Sequence, residues 1–560
     1  MIEFIKTKMG LILCLSSLFI YCLITLPLSL SVVCANENQG FAFTFGQNLL
    51  LYHELASGRG PLFVLLYAIV LKIFGFNTYS IIFVHFIGTF LLFSVGLLIY
   101  FTVSKILNNN LFAGLAVLFW VFMISTPIGM SDLVVEIRSQ YNLNEENLCV
   151  FFSLISLFCL VLSASKKIFP FLAGLFAVFS LMSKASGSVL LIATILWFFL
   201  LFFLRKEDFK VLRKNIVFYF SGVLISLLIF NFILYMLCDD LFLLWKDYFL
   251  LGNYTHDYSV TPKIFLNSLF DFLTRYTHSF SNFILFFIVF LLYIFGLIKG
   301  CLKGSNGLAK YWLLVSFWGL GNVCVIMVPR VYQPYYYQLI WASVSVVFSF
   351  GLYELFLKKI NKRLIRIFIC ILIFIFFLQR IITVVPAYCK FTNDLRELSI
   401  SNQPQSFQDP VLSYDHRLAK RPGFLQLADE INLLLPDKAG TFYIFNFNEG
   451  GHTGFTPLSY IYAKRAPTTS VDSALLRVNT IVESKLRVLK KELIKRPPDI
   501  LVISKNNYLS PWQIEIFNPY LKWFGDFTRE NYHFETTLDY IQAFDNNKIE
   551  IFYIYRKNNI

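Results

Sequence analysis

Apolar runs of roughly 16–26 residues, each near the length of a bilayer span, recur along the first 390 residues of the chain and then stop. They fall at 10–35, 80–101, 111–128, 147–164, 168–183, 187–204, 216–238, 279–298, 311–328, 334–352 and 365–386. One further run, Pro61–Gly75 ("PLFVLLYAIVLKIFG"), is shorter. As a helix it covers about 22 Å, against about 30 Å of hydrocarbon, so its length alone does not say whether it crosses. The first run follows Lys6 and Lys8 as a signal peptide would. It outlasts the roughly 7–15 apolar residues of a signal core, which makes it a retained first transmembrane helix.

Beyond Lys390 the pattern becomes that of a soluble domain. A helix at Gly423–Leu435 leads through Pro436 to a strand at Thr441–Phe447. A long helix at Val471–Lys495 precedes a buried strand, Pro497–Ser504, and strands near His533–Tyr540 and Lys548–Tyr555 close the chain. Alternating helix and strand predicts a small α/β domain over 390–560, behind a transmembrane domain over 1–389. The turn Asn448–Gly454 ("NEGGHTG") lacks the GxGxxG spacing of a dinucleotide site and reads as a tight turn.

Composition agrees: 57% hydrophobic, 18% aromatic and 15% charged residues, with a mean hydropathy of +0.64. A soluble chain carries roughly a quarter charged residues, so the expected class is a mainly α membrane protein with a soluble α/β tail. The net charge of +14 does not point to nucleic acid, because the basic residues sit in short loops between apolar runs. The ten cysteines form no CxxC or Cys/His cluster and none follows Cys389, which leaves zinc and redox motifs without support.

Loop charge also decides the short run. If Pro61–Gly75 does not cross, the loops on the side of Lys6 and Lys8 hold Lys105, Lys166, Lys167, Arg205, Lys206, Lys210, Arg213, Lys214, Lys299, Lys303, Lys310, Lys358, Lys359, Lys362, Arg363 and Arg366. The positive-inside rule then gives about eleven spans and a cytoplasmic N-terminus. Pro61–Gly75 lies along the outer interface, after an amphipathic helix around Phe41–Ala56. The loops 36–60, 129–146 and 239–278, with the tail, face the periplasm or cell exterior.

Charged residues gather on that face. The first loop offers Glu37, His53, Glu54 and Arg59. A guanidinium between glycines at a headgroup-level helix start suits a phosphate, which it binds bidentately without losing its charge; snorkelling to bulk lipid is the alternative. The second loop brings Asp132, Glu136, Arg138, Glu145 and Glu146, where helix capping would also account for the last two. Lys184 falls in a short hairpin, "LMSKASG". It either snorkels or faces a polar cavity and neutralises a lipid phosphate. Arg330 stands among tyrosines, Tyr332 and Tyr335 included, in "PRVYQPYYYQL", an aromatic belt or a cradle for a phosphate and a sugar ring. His256 and Asp257 could pair on a metal, but two lone ligands make a weak case; no cofactor is certain from the sequence, and a divalent cation stays open.

In this order the motifs resemble those of C-type (GT-C) glycosyltransferases, with lipid A aminoarabinose transferases and protein O-mannosyltransferases nearest in pattern. The resemblance spans most of the chain. It rests on an acid ending the first span (Asn36-Glu37), then Arg59-Gly60-Pro61-Leu62 running into "KIFG". An acid starting the fourth span (Glu145-Glu146-Asn147), a "GLxxxxxLxSK" pattern ending at Lys184, and "RxYxxPYYYQL" complete it. It implies an inverting enzyme that moves a sugar from a polyprenyl-phosphate donor to an acceptor hydroxyl on a glycan, lipid or protein. Glu37 would be the general base, with Glu54 a poorer candidate. Arg59, Lys184 and Arg330 would hold the donor phosphate, and Glu54, Arg138, Glu145, Glu146, Tyr332 and Tyr335 would line the substrate site. Asn36 stands where the family usually has an acid, and Gly58 and Gly60 replace residues that are Glu and Pro in some members, so the metal site of that subgroup is not supported here. A lipid-linked glycan polymerase or ligase would concentrate arginines in large external loops and lack the α/β tail; a transporter would carry internal repeats and mid-bilayer charges.

Overall fold

The computed structural model describes residues 2–30, 43, 46–47, 49–51, 60–124, 143–163, 166–204, 208–237, 245, 248, 267, 280–303, 307–327, 338–357, 423–437, 439–445, 459–460, 463–465, 467–469, 482–504, 511–541 and 549–558. The helices of the first part are α1 (Ile2–Leu30), α2 (Pro61–Phe74), α3 (Thr78–Leu107), α4 (Asn110–Ile124), α5 (Glu145–Leu162), α6 (Ile168–Ser183), α7 (Ser188–Phe203), α8 (Phe209–Leu237), α9 (Phe280–Lys303), α10 (Gly307–Met327) and α11 (Gln338–Leu357). Among the described residues, six helices are long and apolar enough to cross a membrane: α3, α5, α7 with the 3₁₀ turn before it, α8, α10 and α11. Shorter apolar stretches lie in α1, α2, α4, α6 and α9. The chain is a multi-pass membrane protein. Each predicted run from 10–35 through 334–352 overlaps a helix, while 31–35, 125–128, 164, 238, 279, 328, 334–337 and the run 365–386 lie outside the described residues.

Helix boundaries follow local chemistry. The Asn77 side chain caps α3 by accepting from the Tyr79 amide at 2.9 Å, and Asn108 ends the helix in the left-handed region at φ 49°. Pro61 opens α2, where its missing N–H costs nothing, and Gly75 closes it at φ 72°.

Side-chain contacts sort the helix ends into two rims. At one rim, Gly10 lies against Asn110, and Tyr311 Oη donates to the Leu160 and Val161 carbonyls at 3.4 Å. Trp197 Nε1 donates to the Lys310 carbonyl at 2.8 Å, and Ser349 Oγ to the Phe112 carbonyl at 2.8 Å. Lys299 and Glu354 form a 2.6 Å ion pair there. The ends of α3, α5, α7, α9 and α11 meet the starts of α1, α4, α6, α8 and α10 on this rim. The opposite rim gathers the start of α5, the end of α6, and the start of α11.

The helix α2 has 14 residues, about 21 Å. Its buried face (Phe63, Val64, Tyr67, Ala68, Val70, Leu71) packs with Ile81, Val84 and Leu91 of the first half of α3, and with Leu143 and Leu148 at the start of α5. Phe43, Gly46, Gln47 and Leu49, from the predicted amphipathic segment, are helical and buried, with Phe43 edge-on to Tyr67. A single larger core joins α1 and α3–α11.

The C-terminal part contains α12 (Gly423–Leu434), β1 (Phe442–Phe445), α13 (Val482–Lys495), β2 (Ile500–Ser504), α14 (Pro511–Asn531), β3 (Tyr532–Ile541) and β4 (Ile549–Lys557). The sheet order is β1-β2-β4-β3, with β1 and β2 parallel and the other pairs antiparallel. Successive strand residues point to opposite faces, so Tyr443, Phe445 and Leu501 build one core with α13 and α14. Phe442, Ile444, Ile500 and Val502 build the other with α12. Arg465 is buried at the end of α12. It donates to the carbonyls of Leu435, Asp437 and Gly440, capping the negative end of that helix; burial lowers its pKa from the ordinary arginine value. All the predicted elements of the tail are present, although 446–447 and 471–481 lie outside the described residues. The helix α14 is an addition that the reading of the tail omitted.

Candidate active site

Asn144 begins the site. Its side chain accepts from the Asn147 amide at 2.7 Å and caps α5. That leaves the first-turn acids, Glu145 and Glu146, free of a capping task. Both are buried, 4% and 2% exposed, and both turn toward Lys184, the residue that ends α6 in an extended conformation. The Lys184 ammonium is bonded to a Glu146 carboxylate oxygen, and Glu145 Oε2 lies 3.9 Å from it. Two buried carboxylates on adjacent positions repel one another, and the shared lysine offsets that cost. Lys184 keeps 15% of its side chain exposed, so the pair is reached from outside the bundle through the lysine.

Hydroxyls beneath this cluster tie α5 to α6. Ser180 Oγ donates to the Cys149 carbonyl at 3.0 Å and lies 2.8 Å from Ser153 Oγ. Cys149 Sγ is 3.3 Å from Ser180 Oγ and 3.9 Å from Ser186 Oγ. Two tyrosines brace the segments that carry the charges. Tyr67 of α2 donates to the Leu143 carbonyl at 2.8 Å, two residues before Glu145. Tyr248 donates to the Leu181 carbonyl, three residues before Lys184. Burial, and secondarily the Glu145 charge, holds the Tyr248 hydroxyl well above the ordinary tyrosine range, so it stays a donor.

Two further segments reach the same rim. A Cβ on Gly60 would lie 1.8 Å from the Ser183 carbonyl oxygen, so the backbone just before α2 touches the backbone just before Lys184, and only glycine fits. Gln338, at the start of α11, accepts at 3.5 Å from Asn144 Nδ2 through its Oε1. Its Nε2 has no hydrogen-bond partner among the described residues.

Of the predicted site residues, Glu145, Glu146 and Lys184 therefore stand together. Glu37, Glu54, Arg59, Arg138, Arg330, Tyr332 and Tyr335, as well as His53, His256 and Asp257, lie outside the described residues. The chain next to two of them is described, however: Gly60 follows Arg59, and Gln338 follows the "RVYQPYYY" stretch. Gly60 touches Ser183, just before Lys184, and Gln338 touches Asn144, just before Glu145. Among the described residues no three His, Cys, Asp or Glu side chains gather as a metal site, and Lys184 already engages both carboxylates. The sequence reading passed over Asn144, Gln338, Tyr67 and Tyr248. The "NLNEEN" pattern, an asparagine before two acids, is the one signal that could have identified Asn144 as a cap.

As a class, the chain is a polytopic helical membrane protein that sets a small ionic cluster at one rim of its bundle. No protein-family model and no curated protein matches it. Among solved structures it is similar to ArnT from Cupriavidus metallidurans bound to undecaprenyl phosphate, at 8% identity over 96% of this chain and 97% of that one, with a TM-score of 0.49. It is also similar to the archaeal oligosaccharyltransferase AglB from Archaeoglobus fulgidus in complex with an inhibitory peptide and a dolichol-phosphate. There the identity is 14%, over 88% and 69% of the two chains, with a TM-score of 0.47. None of these likenesses reaches a TM-score of 0.5, so function has to be argued from this chain's own residues.

Proposed function

We propose that the protein is an inverting GT-C glycosyltransferase, moving a sugar from a polyprenyl-phosphate donor to an acceptor hydroxyl on a glycan, lipid or protein. The observation that supports this most is the meeting of Gly60, Glu145, Glu146, Lys184 and Gln338 at one rim. Gly60 and Gln338, the described residues next to Arg59 and to the "RVYQPYYY" stretch, lie beside the segments that carry Glu145, Glu146 and Lys184. Charges at a membrane helix end are costly and mark sites. A donor whose tail stays in lipid needs its phosphate met at such an end.

In the reaction, the Glu37 carboxylate takes the proton of the acceptor hydroxyl as its oxygen attacks the anomeric carbon. The bond from that carbon to the phosphate oxygen breaks on the opposite face, and polyprenyl phosphate leaves with the electron pair. Phosphate is a good leaving group, so no general acid is needed. General-base help of this kind is worth roughly 10²–10⁴-fold. Lys184, with Arg59 and Arg330, would balance the phosphate charge, and Glu145 and Glu146 would hold Lys184 in place and face the substrate with Glu54, Arg138, Tyr332 and Tyr335. The rim of α5's start is then the outer one, and basic residues at the other rim, among them Lys105, Lys166, Lys167, Lys210, Arg213, Lys214 and Lys310, would be cytoplasmic. This gives about eleven spans, a transmembrane domain over 1–389, and an extracytoplasmic α/β domain over 390–560.

The test is a transfer assay in membranes with labelled polyprenyl-phosphate sugars, comparing wild type with Glu37→Gln. A loss of roughly 10²–10⁴-fold is expected. Full activity of the variant would remove Glu37 as base, and no turnover of any donor by wild type would remove the enzyme reading itself.

A further inference from the structure

The helix α13 buries one face and leaves an unusual row on the other. Leu486, Leu489 and Leu493 enter the core shared with α14. Arg487, Lys491 and Lys495, each four residues from the last, are exposed along the opposite face, a row of about 12 Å. Val488 (38% exposed) and Ile494 (56% exposed) flank that row on either side. Arg496 extends the basic end. Lys490 lies at the edge of the face, its ammonium 5.0 Å over the Trp523 ring, with exposed Lys522 next to that tryptophan in sequence.

Arg487, Lys491 and Lys495 set like charges side by side at i, i+4 spacing, on a helix whose acids are Glu483 and Glu492. Exposed aliphatic side chains interleaved with lysines and arginines, beside a half-buried tryptophan, have the chemistry of a helix that lies at a lipid interface: cations for phosphates, short apolar chains for the acyl boundary. The α/β unit is also joined to a membrane-spanning bundle through residues 358–422, which keeps it within reach of a bilayer surface at high effective concentration.

We propose that the outward face of α13 docks the α/β unit on the surface of the protein's own membrane, by binding anionic lipid headgroups through Arg487, Lys491 and Lys495, with Val488 and Ile494 entering the interface. Each basic side chain brought to an anionic surface favours the docked arrangement by roughly fivefold at ordinary ionic strength, and less as salt rises.

The test uses the full-length protein carrying a photo-crosslinking amino acid in place of Ile494, in nanodiscs of phosphatidylcholine alone or with about one third phosphatidylglycerol. Lipid adducts at position 494 are expected to be at least severalfold more abundant with phosphatidylglycerol. They should fall to the phosphatidylcholine level in the Lys491→Gln/Lys495→Gln background and at high salt. The same probe in place of Leu433, exposed on α12 against the other face of the sheet, should give no dependence on lipid composition and reports that the unit is folded. Equal lipid adducts at 494 in both compositions would overturn the proposal. Adducts to protein, whether to the bundle or to a second copy, would overturn it too, by making the face a protein interface.

Discussion

A lysine that serves two buried acids at once sets a clear hierarchy at the residue scale. Lys184→Met leaves Glu145 and Glu146 side by side without their cation, and removing one partner of a buried ion pair costs about 3–5 kcal/mol. The variant should therefore lose thermal stability in detergent and, where the proposed role holds, roughly 10²–10³-fold in transfer rate. Adding Glu146→Gln to Lys184→Met should restore part of the stability, because one of the two uncompensated charges goes, but little of the rate. A double-mutant cycle on melting temperature and turnover reads the two effects apart. The acids and the lysine were visible in the sequence because charges flanking apolar runs stand out. Tyr67 and Tyr248 were not, since a tyrosine within or beside apolar sequence looks like core or interface packing until its hydroxyl is seen to hold a carbonyl. Gln338 was hidden for a similar reason. A neutral amide after three tyrosines carries no charge to attract notice, and its partner, Asn144, is 194 residues away.

At the scale of the element, the position of Lys184 depends on how closely α6 approaches α8. A Cβ on Gly174 would lie 2.0 Å from the Tyr219 carbonyl oxygen, and a Cβ on Gly222 would lie 2.0 Å from the Phe171 carbonyl oxygen. Small residues at a membrane helix crossing let the backbones touch. Gly222→Leu forces the helices apart, at an overpacking cost of about 1–3 kcal/mol, and should lower the melting temperature with no change in any charged group. Crosslinking of engineered cysteine pairs across α6 and α8 would show the separation; unchanged crosslinking and stability would refute the close crossing. Most helices were readable because long apolar runs leave few alternatives. The helix α14 was not. It carries Pro519 internally and mixes Trp, Phe and Tyr with Asn, Asp and Glu, and its aromatic face makes sense only against β1 and α13. The stop of β1 within the described residues at Phe445 likewise leaves the predicted end at Phe447 without a described partner.

For the whole molecule, the decisive feature is that α2 packs with the near half of α3 and with the start of α5. Whether a helix of this length crosses sets the parity of everything after it, and the loop charges favour the arrangement in which Pro61–Gly75 does not cross. Reporter fusions after Lys105 should therefore be cytoplasmic and fusions after Lys390 external; an external Lys105 would overturn the proposed orientation. The sequence could carry this because the positive-inside bias is a sum over many loops and survives errors in any one of them. The candidate site has no such redundancy. It is assembled from short segments far apart in the chain, each with an ordinary explanation of its own, and only their meeting distinguishes them.

The salt link between α5 and α6 also has a consequence in time. Glu146 precedes Lys184 by 38 residues, so a ribosome adding roughly 5–20 residues per second exposes the two acids about 2–8 s before their lysine exists. During that interval α5 carries two uncompensated carboxylates at its leading turn, and they are neutralised only when the whole of α6 has followed. The two helices are thus a single unit of biosynthesis: a nascent hairpin whose second arm delivers the charge that allows the first to settle.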